Sequence, residues 1–237
     1  MKPSPQSIDV GGALRALRAL LKNPDDTSQV FRIIDSLSGP AINGLLRRFE
    51  DTVEGRQLLR TKPDLLARLL DRDALAALPE GSVGREYLAF LKCEGITTEG
   101  LVAASRAGRL ESANLTPGHV FIRNRMRDSH DLWHVITGYH GDLVGEASLL
   151  AFTLAQTRNP GMALIVAAAW LRGREANVRP LVRQGFQRGL RAEWLPSVPW
   201  EDFLPLPLAD ARRRLGVDAP PAYEPVRTAA YLSAEAA

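Results

Sequence analysis

His130-Asp131-Leu132-Trp133-His134, followed after eleven residues by Glu146, constrains this chain more than any other segment. Two histidines four positions apart share one face of a helix. Asp131 stands about 100° around from His130, so one helical turn can aim two imidazoles and a carboxylate at nearby space. The following residues set the geometry. Gly138 can end that helix in a left-handed cap, and Asp142 can N-cap the next one. His134 lies four residues before Gly138, and Glu146 four after Asp142. At ~1.5 Å rise per residue, both sit about 6 Å from the turn. If the two helices pack antiparallel, Glu146 comes level with His134.

The hairpin then gathers two ring nitrogens and two carboxylates, a donor set suited to a divalent metal. The bland alternative is a polar helix–helix contact in which His, Asp and Glu satisfy one another. The zinc-protease pattern HExxH differs, because its Glu follows the first His and works as a general base. Here Asp131 occupies that place. It is one methylene shorter, better placed to bind metal than to reach past it.

Length and composition narrow the rest. The 237 residues suit one large domain or two small ones, and 45% hydrophobic content is enough for a core. Cys93 is the only cysteine, which excludes a disulfide framework and a cysteine metal site and fits a reducing interior. Lysine occurs only at 2, 22, 62 and 92, so nearly all of the 30 basic residues are arginine. That suits carboxylate and phosphate recognition, although a GC-rich coding sequence gives the same bias. A net charge of +3 and no basic run interleaved with aromatics argue against nucleic acid. No secretory signal is visible.

Helical periodicity dominates, with helices expected near 9–22, 27–37, 41–53, 63–70, 83–93, 97–108, 116–127, 129–138, 142–157 and 161–190. Gly173, Pro180, Gly185 and Gly189 should break or kink the last span. Alternating strand patterns are almost absent. After Pro196 the chain is proline-rich and should wrap the body in short turns. The expectation is all-α: a single helical domain over 1–237, with a metal-binding hairpin, an irregular Pro-rich C-terminal segment, and tails at 1–7 and 217–237. Met162 to Leu171 is far short of a membrane span, and reads as a buried helix or as a wall of an apolar tunnel. The segments 142–157 and 161–172 carry more apolar residues than one helix stripe needs: Leu143, Leu149, Leu150, Phe152 and Leu154, then Met162, Leu164, Ile165, Val166, Trp170 and Leu171. The cationic, amphipathic 12–22 segment is an interfacial helix or an ordinary docked one.

Three blocks carry a family resemblance. Leu78-Pro79-Glu80-Gly81-Ser82-Val83-Gly84-Arg85-Glu86-Tyr87 and on to Leu91 form the first. Arg125-Met126-Arg127-Asp128-Ser129 leads into the HDxxH-x11-E run ending at Glu146. Trp200-Glu201 and Arg212-Arg213-Arg214-Leu215-Gly216 form the third. Together they resemble the ubiquinone biosynthesis family known as coenzyme Q biosynthesis protein four, over roughly 25–216. Segment 188–199 follows the pattern poorly. No mitochondrial presequence is seen, so a bacterial member is expected.

The resemblance implies a divalent metal, zinc by preference with iron or manganese left open, held by His130, Asp131, His134 and Glu146. It implies a polyprenylated benzoate or quinone precursor as ligand, association with other ubiquinone-synthesis enzymes, and peripheral attachment to the inner membrane from the cytoplasmic side. It implies loss of the C1 carboxylate from a polyprenylated 4-hydroxybenzoate, with or without oxidation at C1. Asp131 and Glu146 are the candidate catalytic groups. Arg125 and Arg127, just before the metal helix, are candidates to hold an acid group, or are simply solvated. Tyr139 and His140, in the turn, can relay a proton or cap a helix. Self-association stays open. Two other classes remain: a non-catalytic prenyl-lipid scaffold whose metal fixes the hairpin, and an HD-type phosphohydrolase. The latter would press His119 and Asp142 into service at an upstream spacing too short for it.

Overall fold

The computed structural model describes residues 8–108, 115–173 and 178–226. Among them there is no strand, and fourteen helices build one helical domain, as the periodicity predicts. They run α1 (Val10–Lys22), α2 (Thr27–Asp51), α3 (Val53–Thr61), α4 (Leu65–Leu70), α5 (Arg72–Ala76), α6 (Val83–Glu94) and α7 (Thr98–Gly108). Then come α8 (Pro117–Asp128), α9 (His130–Thr137), α10 (Leu143–Thr157), α11 (Pro160–Arg172) and α12 (Val178–Arg191). A 3-10 turn (Leu195–Ser197) leads to α13 (Trp200–Phe203) and α14 (Leu208–Arg214).

Local chemistry explains most boundaries. Asp9, Asp26, Thr52, Asp64, Asp71, Ser82, Asp142 and Asn159 each cap a helix N-terminus through the side chain. Thr116 and His119 form a reciprocal capping box on α8. That gives His119 a structural role. Gly95 and Gly138 end α6 and α9 in left-handed conformation.

The two helices expected at 27–37 and 41–53 are the two halves of α2, parted where Gly39 before Pro40 leaves helical φ/ψ. Other expectations are corrected. From the Thr52 cap runs α3, a helix where the sequence reading placed none beyond 53. The span 161–190 divides into α11 and α12, with 174–177 outside the described residues. Pro180 falls in the first turn of α12, where proline is tolerated. Gly185 and Gly189 do not kink α12. A Cβ at Gly185 would meet the Ser148 carbonyl at 2.2 Å, and one at Gly189 the Phe152 carbonyl at 2.5 Å. Both glycines exist to let α12 lie against the backbone of α10.

The largest core cluster surrounds α9. Every residue of α9 from Asp131 to Thr137 is buried. Leu132, Trp133 and Ile136 pack with Tyr87, Leu149, Phe152 and Trp200. Burial of each large apolar side chain is worth ~1.5–3 kcal/mol. An eight-residue helix cannot stand alone in water, so this packing holds α9 together. Its C-terminal carbonyls are taken by arginines from the C-terminal third. Arg212 donates to Ile136 O at 2.8 Å and Val135 O at 2.9 Å, and Arg188 to Thr137 O at 2.8 Å.

Of the two tails expected to be loose or wrapping, 1–7 and 227–237 lie outside the described residues. Residues 217–226 wrap. Arg188 donates to the Asp218 carbonyl, Pro220 lies against Gly138, and Val226 accepts the Leu143 N–H at its carbonyl and donates its own N–H to the Asp142 carboxylate. No helix among the described residues is long and apolar enough to cross a membrane.

The α10–α12 approach makes a direct prediction. Gly185→Ala should cost ~1–3 kcal/mol through forced backbone displacement. Gly44→Ala, in α2 with nothing within 4 Å of the added carbon, should instead stabilise by ~0.5–1 kcal/mol. Thermal or urea unfolding of the two variants should give opposite signs.

Candidate metal centre and its cavity

The hairpin forms as the spacing predicts. Gly138 closes α9 with its N–H on the His134 carbonyl, and the Asp142 side chain accepts the Val144 N–H to start α10. Across the turn, His134 Nε2 lies 3.2 Å from one Glu146 oxygen and His130 Nε2 lies 3.6 Å from the other. One ligand atom from each of these three residues lies within 4.8 Å of the others. This is the only such group of three or more among the described residues, and it could hold a metal ion. Asp131 is buried beside the group but is not part of it.

The rings are aimed from behind. His134 Nδ1 is 2.9 Å from the Tyr139 carbonyl. A carbonyl can only accept, so the proton sits on Nδ1 and the Nε2 lone pair faces Glu146 in the neutral ring. Phe90 stacks on His134 at 5.0 Å between ring centroids, and His130 meets His134 edge to face at 4.9 Å. Phe90 stands inside the first resemblance block, but no spacing rule assigns it this contact.

Electrostatics bind the three groups together. Burial works to raise the Glu146 carboxyl, but the two imidazoles outweigh it and hold the carboxyl far below the ordinary carboxylate range. Burial works to lower His134, but Glu146 outweighs it and the imidazole is raised. Asp131 is raised by burial, with Glu146 adding to the effect. The Glu146 side chain is 42% accessible and lines a cavity open to the surface.

That cavity has a volume of about 970 Å³, at the upper end for a ligand site. Its polar lining includes Glu94, Arg127, His130, Asp131, Asp142 and Glu146. Its apolar lining comes from α1, α2, α10 and α11, with Leu17, Val30, Leu150, Met162 and Ile165 among them. Thus 142–157 and 161–172 do contribute a wall, through fewer residues than expected. Leu149 and Phe152 are taken up by the central core, while Trp170 and Leu171 are exposed at the surface. α1 is docked: Ala13 and Ala16 are buried, and Leu17, Leu20 and Leu21 line the cavity.

The arginines divide. Arg127 lines the cavity, with its guanidinium also paired to Asp128. Arg125 is not among the lining residues. Its guanidinium makes a two-pronged pair with Glu201 at 3.0 and 2.8 Å and donates to the Val198 carbonyl at 2.9 Å. That engagement removes Arg125 from the acid-holding role expected for it and makes it a tie to α13. The Glu201 partner stood in the third resemblance block, but long-range pairing leaves no local trace. His119 is held by Thr116 and lies outside the donor group, as does Asp142. The phosphohydrolase arrangement therefore has no counterpart here.

Three predictions follow from the geometry. Metal analysis of protein loaded with Zn2+ should give one ion per chain, and His134→Ala or Glu146→Ala should abolish stoichiometric retention while the helical circular dichroism persists. Unchanged metal content in both variants would exclude this site. Acid should release the metal, because protons compete for the ligands. In metal-free protein the Glu146 contribution to stability is present above the ordinary carboxyl value of 4.5 and is lost as pH falls through its depressed folded value. The His134 contribution is present below 6.5 and is lost as pH rises through its raised folded value. Both are therefore fully present between 4.5 and 6.5, and a pH series of unfolding midpoints on chelated protein should peak there.

Comparison with known proteins adds the lineage. The model of the family described as coenzyme Q (ubiquinone) biosynthesis protein Coq4 matches residues 10–221. The chain is 32% identical over 170 residues to the ubiquinone biosynthesis protein COQ4, mitochondrial, of Pyricularia oryzae, covering 70% of this chain and 54% of that protein. It is 29% identical over 204 residues to the protein of the same name from Clavispora lusitaniae, covering 84% and 62%. The chain thus spans between 54% and 62% of the length of these curated relatives. The crystal structure of a Nostoc punctiforme protein, described as a candidate ubiquinone biosynthesis protein, shares the fold. Its TM-score is 0.66 at 21% identity, over 90% of this chain and 100% of that one. The match over residues 10–221 is decisive: the chain belongs to the coenzyme Q (ubiquinone) biosynthesis protein family.

Proposed function

We propose that the protein works in ubiquinone biosynthesis, binding a polyprenylated 4-hydroxybenzoate and removing its C1 carboxylate. The observation that carries this reading is the cavity, because one continuous space joins an apolar lining to the His130–His134–Glu146 group. A prenyl tail fits the first and a benzoate head the second.

The donor set fits a divalent cation: two imidazole nitrogens and a carboxylate oxygen within 4.8 Å of one another, with one imidazole oriented by a backbone carbonyl. Such an ion, when bound, would supply positive charge that holds and orients the substrate head. The other roles fall to the chain. Arg127, on the cavity wall, adds positive charge at the head end. Asp131, beside the histidines on the same wall, is placed to deliver a proton to C1. The ring accepts that proton as a quinoid form stabilised by the para-hydroxyl. The C1–carboxylate bond then breaks, its electron pair returns to the ring, and CO2 leaves. One proton is consumed per CO2 released. Apolar walls lower the local dielectric and strengthen each of these interactions.

A substrate with a long prenyl tail stays in the bilayer, so the enzyme must meet it at the surface. Peripheral attachment to the inner membrane, alongside other ubiquinone-synthesis enzymes, is part of the same proposal. Zinc suits the donor set, and iron or manganese would also be accommodated.

Complementation tests the reading. A strain lacking the corresponding gene should accumulate the carboxylated precursor, and wild-type protein should restore quinone. Glu146→Ala should fold, lose metal and fail to restore it. Full complementation by a Glu146→Ala protein shown to be metal-free would replace catalysis with a scaffold role.

A further inference from the structure

One face of the chain runs along the cavity from α8 into α9. Arg123, Met126, Arg127, His130 and Asp131 all line the cavity, at the i, i+3, i+4, i+7 and i+8 spacing of a single helical face. The joint between the two helices, Ser129, keeps right-handed helical φ/ψ, with its N–H on the Arg125 carbonyl and its own carbonyl taken by the Trp133 N–H. At ~1.5 Å rise per residue, Arg123 stands ~10 Å along this face from His130, with Arg127 between them. We infer that Arg123 binds the ring oxygen para to the substrate carboxylate and so selects a 4-hydroxylated ring, an inference that rests on the prenylated 4-hydroxybenzoate reading.

The arginines of α8 differ in how far they are committed. Arg125 lies outside the cavity lining, spent on Glu201 and the Val198 carbonyl. Arg127 lines the cavity, with its Nε held by Asp128 at 2.6 Å. Arg123 also lines it, and its side chain is 22% exposed. Its hydrogen bond among the described residues is a long one, 3.5 Å from Nη1 to Asp35 of α2. A guanidinium carries several N–H donors in one plane, so this contact leaves donors for a ligand oxygen. The head of the ligand has the matching shape. A para-substituted ring bears its carboxylate and its hydroxyl at opposite ends. With the carboxylate at Arg127 and the donor group, the hydroxyl points back along the face toward Arg123. The ring and a contact of ~3 Å at each end together span about the length available. Met126, between the two arginines in sequence and on the same lining, offers the ring an apolar and polarisable surface. The 4-oxygen is also the atom that stabilises the quinoid form, so recognition falls on the group the reaction needs.

An ion pair with a purely structural role would tie α8 to α2 and leave ligand choice alone. Calorimetric binding to metal-loaded protein separates the two. The probes are a short-chain prenylated 4-hydroxybenzoate and the same compound with hydrogen in place of the hydroxyl. Wild type should prefer the hydroxylated compound by roughly 10- to 100-fold, the worth of a hydrogen bond to a charged group. Arg123→Met should bring the hydroxylated compound down to the affinity of the other and leave that one unchanged. Arg123→Gln repeats the comparison if Arg123→Met folds poorly. Arg127→Met, at the carboxylate end, should weaken both compounds equally and keep the preference. Asp35→Asn breaks the ion pair but spares the guanidinium, and should keep the preference too. A preference that survives loss of the guanidinium, or a wild type with no preference, would overturn the contact while leaving the ligand class intact. Equal loss of the preference in Asp35→Asn would also overturn it, because the tie to α2 would then be what sets ligand choice. A wild type that binds neither compound would sink the prenylated-benzoate reading and this contact with it.

Discussion

The bond between His134 Nδ1 and the Tyr139 carbonyl is where local folding and site chemistry meet. It exists because Gly138 turns the chain with positive φ, bringing the next carbonyl back over the last turn of α9. A residue with a Cβ would be strained in that conformation, and here it would also press on Pro220. The turn therefore does two things at once. It sets α10 antiparallel, so that Glu146 arrives opposite His134. It also fixes the imidazole tautomer, so that the nitrogen facing Glu146 is the one able to act as a ligand.

Holding a short polar helix in the middle of a protein is costly, and the C-terminal third of the chain carries much of that load. Arg188 and Arg212 satisfy carbonyls that α9 would otherwise bury unpaired. They also place positive charge at the negative end of its dipole. Arg125 ties the end of α8 to α13 through Glu201. The Pro-rich wrap then closes over the turn through Tyr223 and Val226, both anchored on the Asp142 carboxylate. The same carboxylate caps α10, so one side chain starts the helix bearing Glu146 and fastens the strap beside it.

Legibility in the sequence followed the range of the interactions. The all-helical fold, the α9–α10 hairpin and the His130–His134–Glu146 group rest on spacings of a few residues, where 3.6 residues per turn leaves little freedom. Capping residues such as Asp142 and Thr116 are equally local. The rest was hidden because its cause lies in tertiary contact. Gly185 and Gly189 look like helix breakers until the backbone of α10 is placed against them. Arg125 and Arg127 look equivalent, two positions apart, yet they point to different partners 76 and 1 residues away. Asp131 shows a finer limit. Spacing puts it next to the histidines, but the 100° step that separates it from His130 also carries it outside the donor group.

The placement of the ionic groups in the cavity argues for chemistry rather than for storage of a lipid. An apolar tail alone needs only a greasy wall, and burying charge in such a wall is expensive unless each charge is matched. This cavity nevertheless gathers six acidic residues, a histidine and three arginines into its lining. Some are matched, as Glu146 is by two imidazoles and Arg127 by Asp128. Asp131 is the informative exception. Burial raises its carboxyl more than the neighbouring His130 and His134 lower it, and Glu146 adds a little to the rise. A fold selected for lipid storage or for hairpin rigidity would gain stability by replacing such a group with an apolar one. Its retention beside the donor group is what a site needs if a carboxylate is to be bound and a proton delivered in the same small space.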